Sequence, residues 1–179
     1  MIDPSSGPFL FDTSAESWLA RSKDSHVRSW FGAYLATHRV HVSAVTIVER
    51  IRGYALLSLR APENRKDQIE RARIAYLSEI GRVWSLDGGV SVVAGEIMAL
   101  LPLPPSPPRK AHQFIESRQE RLVRWRFDCM IAATALVSRM TLVHNNAQDF
   151  ESIRKAIETS PERFPTLGPL GLIRCNSLA

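Results

Sequence analysis

Four acidic residues stand at a boundary of a predicted element of secondary structure or early in a predicted helix: Asp12, Glu49, Asp128 and Asp149. Carboxylates that converge repel each other, so a cation is their natural partner. Oxygen ligands of this kind suit Mg²⁺ or Mn²⁺. Such an ion orients a water molecule, lowers its pKa and neutralises charge on a phosphate. The chemistry that this set supports is metal-dependent hydrolysis of a phosphodiester bond.

Helix capping is the structural alternative for three of these acids. Glu49 could close a capping box with Thr46, and Asp128 could be the N-cap of the apolar helix that follows it. Asp149 could pair with a capping Asn146. For each acid taken alone, capping is the better explanation.

Asp12 is harder to explain by capping. Thr13 and Glu16 are predicted to supply the capping pair of the first helix, so a carboxylate at the end of an apolar strand has no local role. Burying that charge without a partner would be costly. His144 borders the same predicted site and is a weak candidate for a general base, and no histidine cluster accompanies it.

The elements that must position these residues alternate along the chain. The predicted strands are 8–11, 40–43, 83–86 (a strand or an extended link), 141–144 and 171–175. Helices are predicted to open at 13 and near 146, and to cover 24–38, 46–59, 64–81, 90–101, 110–125 and 128–139. This alternation indicates an α/β fold with a central, mainly parallel sheet. Because such sheets place their sites beyond the carboxyl ends of the strands, Asp12 and Asn146 are expected to share one site.

Composition limits the class of protein. With 179 residues, 45% hydrophobic and 23% charged, the chain suits one globular domain rather than a fibrous or disordered protein. A net charge of +5 is compatible with a nucleic acid partner. Two cysteines without metal-binding spacing predict reduced, buried thiols. We find no signal peptide or membrane span in the sequence and therefore expect a cytoplasmic protein.

A proline-rich segment, 102–108, separates the first half of the chain from a basic segment. The prolines predict a stiff connector, with a proline-motif docking site as the alternative. The arginines of the basic segment that could form an RNA-binding rim are Arg118, Arg121, Arg124 and Arg126. A solvated helix face or a dimer contact explains them equally well. Trp125 is predicted to pack in the core rather than to stack on a base.

Four motifs in order resemble the PIN-domain family. The first, 9–14, is an apolar run that ends in Asp-Thr-Ser, and the second, 42–53, has the pattern Ser-x-x-Thr-x-x-Glu followed by Arg-Gly. The third, 128–136, is similar to Asp-x-x-Ile-Ala-Ala-x-Ala. The last, 141–150, is similar to Thr-Leu-Val-x-x-Asn-x-x-Asp-Phe. The ordered set most resembles VapC-type toxins of toxin–antitoxin modules.

This resemblance implies a PIN-like (Rossmann-like) α/β/α sandwich, formed by a single domain over 1–179 with an insertion at about 102–126. It also implies a Mg²⁺- or Mn²⁺-dependent endoribonuclease that acts on RNA, forms a homodimer and is neutralised by a small antitoxin. The metal-binding acids would be Asp12, Glu49 and Asp128. Asp149, with Asn146, would form a fourth corner that holds a second cation or the water, and Ser14 would orient the first acid.

The sequence also departs from the family pattern. His144-Asn145 stands where Thr-Arg is more common, and Glu49 and Asp128 lie farther apart than the family leads us to expect. The sequence leaves two other classes of function open. One is a PIN-like module that has lost catalysis and acts through protein contacts. The other is a phosphoacceptor domain of flavodoxin-like topology, which the apolar helix at 128–139 disfavours.

Overall fold

A five-stranded parallel sheet forms the centre of the computed structural model, which describes residues 2–111 and 114–178. The strands in chain order are β1 (Leu10–Phe11), β2 (Val40–Ser43), β3 (Ile80–Trp84), β4 (Lys110–Ala111), β5 (Phe114–Ile115), β6 (Leu142–His144) and β7 (Leu172–Arg174). The sheet has the order β3-β2-β1-β6-β7, with every pairing parallel. Strands β4 and β5 form a separate antiparallel hairpin. Strands β1 and β6 therefore lie side by side at the centre.

Helices cover both faces of this sheet. They are α1 (Thr13–Arg21), α2 (Ser25–Thr37), α3 (Ala44–Arg60), α4 (Glu63–Glu79), α5 (Gly88–Leu100), α6 (Arg118–Val137) and α7 (Ala147–Thr159). Successive strand residues point to opposite faces, so Leu10 joins a core with α5, α6 and α7, while Phe11 joins one with α1 and α2. Leu142 and Val143 divide in the same way. The predicted α/β/α sandwich is confirmed.

Helix α6 differs from the prediction. Two helices, 110–125 and 128–139, were expected, but one helix runs from Arg118 to Val137. Ser117 and Glu120 form a reciprocal capping box that fixes its start, and the residues before it form the β4–β5 hairpin. Asp128 therefore lies inside a helix, and its interpretation as an N-cap was wrong.

Several helices and strands also begin or end at other residues than predicted. Strand β1 is shorter than the predicted 8–11, and β3 begins at Ile80, where the helix 64–81 was still expected. The proline-rich segment 102–108 contains neither helix nor strand, as predicted. In the part of the chain that the structure describes, none of the helices combines the length and apolarity needed to cross a membrane.

Trp125 anchors α6 against the core, and the prediction that it packs there is confirmed. Its side chain is buried, and the indole Nε1 donates a hydrogen bond of 3.0 Å to the Leu101 carbonyl. We expect Trp125→Ala to lower the free energy of unfolding by about 3–5 kcal/mol, because the cavity would also leave that carbonyl unpartnered. Urea unfolding followed by circular dichroism measures this loss. A change smaller than that of the exposed Val92→Ala would contradict it.

Candidate active site

Asp12 follows β1 at the carboxyl edge of the sheet and caps α1. Its Oδ1 accepts a hydrogen bond of 2.5 Å from the Ala15 backbone N–H, and the Ser14 hydroxyl donates to the same carboxylate. The side chain is only 3% exposed. Burial raises the pKa of Asp12 to about 6, and the Glu49 carboxylate adds to this rise. The prediction that Thr13 and Glu16 would cap this helix in place of Asp12 was wrong.

Thr13 and Glu16 have other partners. The Thr13 hydroxyl donates a hydrogen bond to the Glu49 carboxylate. Glu16 forms an ion pair with Arg50, with 2.9 Å between Oε2 and Nε. Both contacts tie α1 to α3, so they fix the position of Glu49 relative to Asp12.

Glu49 lies in the second turn of α3 and is half-buried. Ser43 caps this helix by accepting a hydrogen bond of 3.1 Å from the Thr46 backbone N–H, so Glu49 takes no part in capping. Burial raises its pKa, and the Thr13 hydroxyl and the charges of Arg109 and Arg124 partly offset this rise. The capping alternative for Glu49 was wrong.

Asp128 approaches the same edge of the sheet from α6. Its side chain is buried, and its Oδ2 accepts a hydrogen bond of 3.0 Å from the Asn146 Nδ2. Burial, together with the charges of Asp12 and Asp149, raises the pKa of Asp128 well above its usual value. The carboxylates of Asp12 and Asp149 therefore disfavour ionisation of Asp128.

Asp149 is fully buried behind this edge. The backbone N–H of Ser106 donates to Oδ1 at 3.1 Å, and the Ser106 hydroxyl donates to Oδ2 at 2.9 Å. Asn146 donates to the same Oδ2 at 2.6 Å, and Arg124 does so at 3.1 Å. The structure thus places Asp149 in contact with Asn146, as expected, but surrounds its carboxylate with protein donors.

An open cavity of about 570 Å³ brings most of the predicted site together. The residues expected from the sequence that line it are Asp12, Ser14, Glu49, Asp128 and Asn146. Asp149 and His144 do not belong to its lining. His144 is instead buried against Phe150, and burial lowers its pKa to about 4, so it fits a core residue better than a general base.

The basic residues around the cavity are only partly those that the sequence indicated. Arg124 lines it, but Arg118, Arg121 and Arg126 do not. Arg121 donates a hydrogen bond of 2.7 Å to the Pro104 carbonyl and so holds the proline-rich segment. The basic lining residues besides Arg124 are Arg21, Lys23 and Arg109. Arg21 is the last residue of α1 and Lys23 follows that helix, and nothing local in the sequence marks either as a residue of the site.

Glu116 holds Arg124 in place beside the acids. Its carboxylate accepts two hydrogen bonds, 2.8 Å from Nε and 2.9 Å from Nη2, and its Oε2 also accepts the backbone N–H of Arg109 at 3.0 Å. The Arg124 hydrogen bonds lower the pKa of Glu116 to about 2. Arg124 Nη1 lies 3.9 Å from Asp128 Oδ2. The Arg124 guanidinium is therefore held next to the acidic residues of the cavity.

The ion pair between Glu116 and Arg124 should make the protein less stable in acid. The pKa of Glu116 lies below its ordinary value of 4.5, so the stabilisation is present above pH 4.5 and is lost as the pH falls towards about 2. We expect Glu116→Gln to lower the free energy of unfolding at pH 7 by at most about 3 kcal/mol, and by progressively less below pH 4.5. Urea unfolding at several pH values measures the difference. Equal midpoints for variant and parent at pH 7 would contradict it.

The donor chemistry of the cavity suits a hard cation. Within residues 2–111 and 114–178, no three acidic, histidine or cysteine side chains are arranged closely enough to enclose a metal ion. Asp12 and Asp128 nevertheless both line the cavity as buried carboxylates. The charge of Asp12 raises the pKa of Asp128, and a divalent ion would relieve that repulsion. The residues fit such an ion in donor type and in charge.

The sequence matches the PIN domain family over residues 9–156. No curated protein matches it significantly. Among solved structures, FitAcB from Neisseria gonorrhoeae is 20% identical, with a TM-score of 0.61 over 94% of this chain and 98% of that chain. VapBC2 from Rickettsia felis bound to a DNA fragment from their promoter is 15% identical, with a TM-score of 0.59 over 93% and 97% of the two chains.

A third similar structure is a toxin–antitoxin complex from Klebsiella pneumoniae, which is 19% identical with a TM-score of 0.50 over 80% of this chain and 90% of that chain. At these identities the likeness concerns the fold. The family match, by contrast, spans both central strands and all four acidic residues. The chain therefore belongs to the PIN domain family.

Proposed function

We propose that this protein is the toxin of a toxin–antitoxin module and acts as a Mg²⁺- or Mn²⁺-dependent endoribonuclease. The observation that carries the proposal is the convergence of Asp12, Glu49 and Asp128 on one cavity at the carboxyl edge of the sheet. Membership of a family of nucleases and the similarity to a toxin–antitoxin complex support it. The two buried, free cysteines fit a reducing cytoplasm.

The residues have different roles in this proposal. Asp12, Glu49 and Asp128 would hold the metal, which supplies an activated water and neutralises charge on the phosphate. Ser14 orients Asp12 through its hydroxyl, and Asn146 orients Asp128 through its amide. A preorganised carboxylate loses little conformational freedom when it binds an ion.

Asp149 serves as a positioning residue in this proposal. Its carboxylate accepts from Asn146, whose amide also reaches Asp128, so it fixes the amide that orients an acid of the cavity. Because its oxygens already accept hydrogen bonds from Ser106, Arg124 and Asn146, it is less suited to direct metal binding than the residues that line the cavity.

The antitoxin has a candidate docking surface on α3 and α4. A groove of about 560 Å³ runs between α1, α3 and α4 and shares Thr13 and Glu49 with the active-site cavity. The exposed Leu57 lines this groove together with Ala72, Ala75 and Tyr76. The other exposed apolar side chains on these two helices lie outside its lining: Val48, Leu59, Ile74 and Leu77. A small apolar antitoxin segment in this groove would reach the acids.

We further propose a homodimer, for which sedimentation velocity of the purified chain is the test.

Incubation of the purified chain with total cellular RNA tests the proposed function. We expect cleavage products with Mg²⁺ or Mn²⁺ and none with EDTA, because the acids need the ion to act on a phosphate. Gel electrophoresis of the RNA over time measures the reaction. Equal cleavage in metal and in EDTA would contradict metal dependence, and no cleavage in either would contradict the nuclease.

The second candidate is a PIN-like interaction module without catalysis. It is favoured by the finding that no three metal-binding side chains enclose a site among the described residues. Calorimetric titration with Mn²⁺ separates the two functions. Binding that Asp128→Asn removes supports the nuclease, whereas no measurable heat supports the module.

A further inference from the structure

The segment before α6 and the N-terminal part of α6 each bring one arginine to the rim of the acidic cavity. Arg109 and Arg124 both line it, although they lie on different sides of the β4–β5 hairpin. Glu116 connects them, because it accepts two hydrogen bonds from the Arg124 guanidinium and one from the Arg109 backbone. One buried carboxylate thus sets the position of both residues. We call this group, Arg109, Glu116 and Arg124, the arginine pair and its tether.

Arg124 is held too rigidly for a solvated surface residue. Glu116 accepts hydrogen bonds from the Nε and Nη2 of Arg124, and Asp149 accepts one from Nη1 at 3.1 Å. The Arg124 side chain is only 12% exposed. A guanidinium has more N–H donors than these three hydrogen bonds use. Because the side chain is already ordered, it loses little conformational entropy when a further anion binds.

A second cavity continues from the first past the same arginines. It has a volume of about 580 Å³ and shares Thr13, Glu49, Arg109 and Arg124 with the acidic cavity. Beyond them its lining combines the cation of Arg52 with the apolar side chains of Val123 and Phe127. The Gln119 amide and the carboxylates of Glu116 and Glu120 complete it. A strand with alternating phosphates and flat bases fits such a surface, since cations bind the phosphates and apolar groups contact the bases.

We propose that Arg109 and Arg124, positioned by Glu116, bind the RNA phosphate next to the one that is cut and direct the strand from the acidic cavity into the second cavity. The inference rests on the proposed function, of which it specifies the substrate contact. It makes Arg109 and Glu116, which precede α6, a part of the substrate site rather than of a connector. It also assigns this role to Arg124 alone among the four arginines of 118–126.

Binding of a fluorescein-labelled, mixed-sequence single-stranded RNA measures this contact by anisotropy. Every chain carries Asp12→Asn, so that the RNA stays intact. Arg124→Gln is expected to weaken binding by about tenfold to a hundredfold, the effect of losing a charge-assisted hydrogen bond. It should also reduce the slope of log affinity against log salt by about 0.7, the value for one single-strand phosphate contact.

Two further variants separate this role from a purely structural one. Arg109→Gln removes the charge of an exposed side chain but keeps the backbone N–H that donates to Glu116. It should therefore weaken RNA binding without changing the melting temperature. The matched control is Arg163→Gln, which removes the same charge and also breaks an ion pair, that with Glu96. It lines neither cavity and should leave RNA binding unchanged.

The outcomes distinguish this inference from the proposed function. If both arginine variants bind RNA as tightly as the control, or if the Asp12→Asn parent binds no RNA, the inference is overturned. If the wild-type chain cuts RNA while both variants bind normally, the nuclease stands without the arginine pair. If the variants lose RNA binding but the wild-type chain cuts nothing, the arginine pair stands and the nuclease fails.

Discussion

Asp12→Asn is expected to reduce RNA cleavage by at least about a thousandfold while the fold survives. An asparagine keeps the Oδ1 that accepts from the Ala15 N–H and the Ser14 hydroxyl, so α1 stays capped. The negative charge that would bind the cation is lost. The effect on catalysis should therefore be far larger than the effect on stability.

Asp87→Asn is the matched control for this variant. Asp87 caps α5 in the same way, since its carboxylate accepts from the backbone N–H three residues later at 2.9 Å, but it does not line the active-site cavity. Initial rates of RNA cleavage are compared with thermal unfolding by circular dichroism. Cleavage by Asp12→Asn at the rate of Asp87→Asn would show that the catalytic assignment is wrong.

Asp128→Asn is expected to inactivate the protein and, without metal, to stabilise it. The ionised carboxylate is buried among other acids, and its pKa in the folded chain is raised. The stabilisation from such a group is fully present below the pKa that it has in the unfolded chain. It is lost as the pH rises through the pKa that it has in the folded chain. The amide avoids this loss and can still accept from Asn146. We expect its melting temperature at pH 7.5 in EDTA to rise by roughly 3–8 °C.

Two comparisons sharpen this test. At pH 4 the parent carboxyl is mostly protonated in the folded chain, so variant and parent should melt at nearly the same temperature. Mn²⁺ should raise the melting temperature of the parent but not of Asp128→Asn. Asp67→Asn, at an exposed position, is the control. It should change neither the melting temperature in EDTA nor its increase with Mn²⁺. A lower melting temperature for Asp128→Asn in EDTA at pH 7.5 would refute the account of charge repulsion at Asp128.

The sequence was most informative about elements whose signals are local. Apolar runs located β1, β2 and β6, and their alternation with helices predicted a parallel sheet. The rule that sites lie at the carboxyl ends of such strands then brought Asp12 and Asn146 to one cavity. This part of the site was predictable because it depends on topology rather than on side-chain contacts.

The errors concern choices between neighbouring residues. Asp12 and Thr13 are both good caps, and the choice depends on where the strand ends: Asp12 keeps an extended backbone with φ −74° and ψ 166°. For α6 a signal was present but missed, since Ser117 and Glu120 form the pattern of a capping box. With that start recognised, Asp128 would have been placed inside the helix.

Other features had no local signal. Ser106 and Asp149 are 43 positions apart, so their hydrogen bonds follow only from the way the proline-rich segment folds back. Arg121 and Arg124 are one turn apart on the same helix, yet one binds the Pro104 carbonyl and the other binds Glu116. Spacing along a helix groups such residues, but only the surrounding structure separates their roles.

The hydrogen bonds of Ser106 and Glu116 also bear on how this protein can change in evolution. Removing residues 102–117 to recover a shorter loop would leave the Asp149 carboxylate buried with fewer donors and would release Arg124 from its tether. The acids and this segment can therefore be exchanged between related proteins only as a unit. A chimaera that grafts α6 alone onto another member of the family should carry an acid site that is present but poorly ordered.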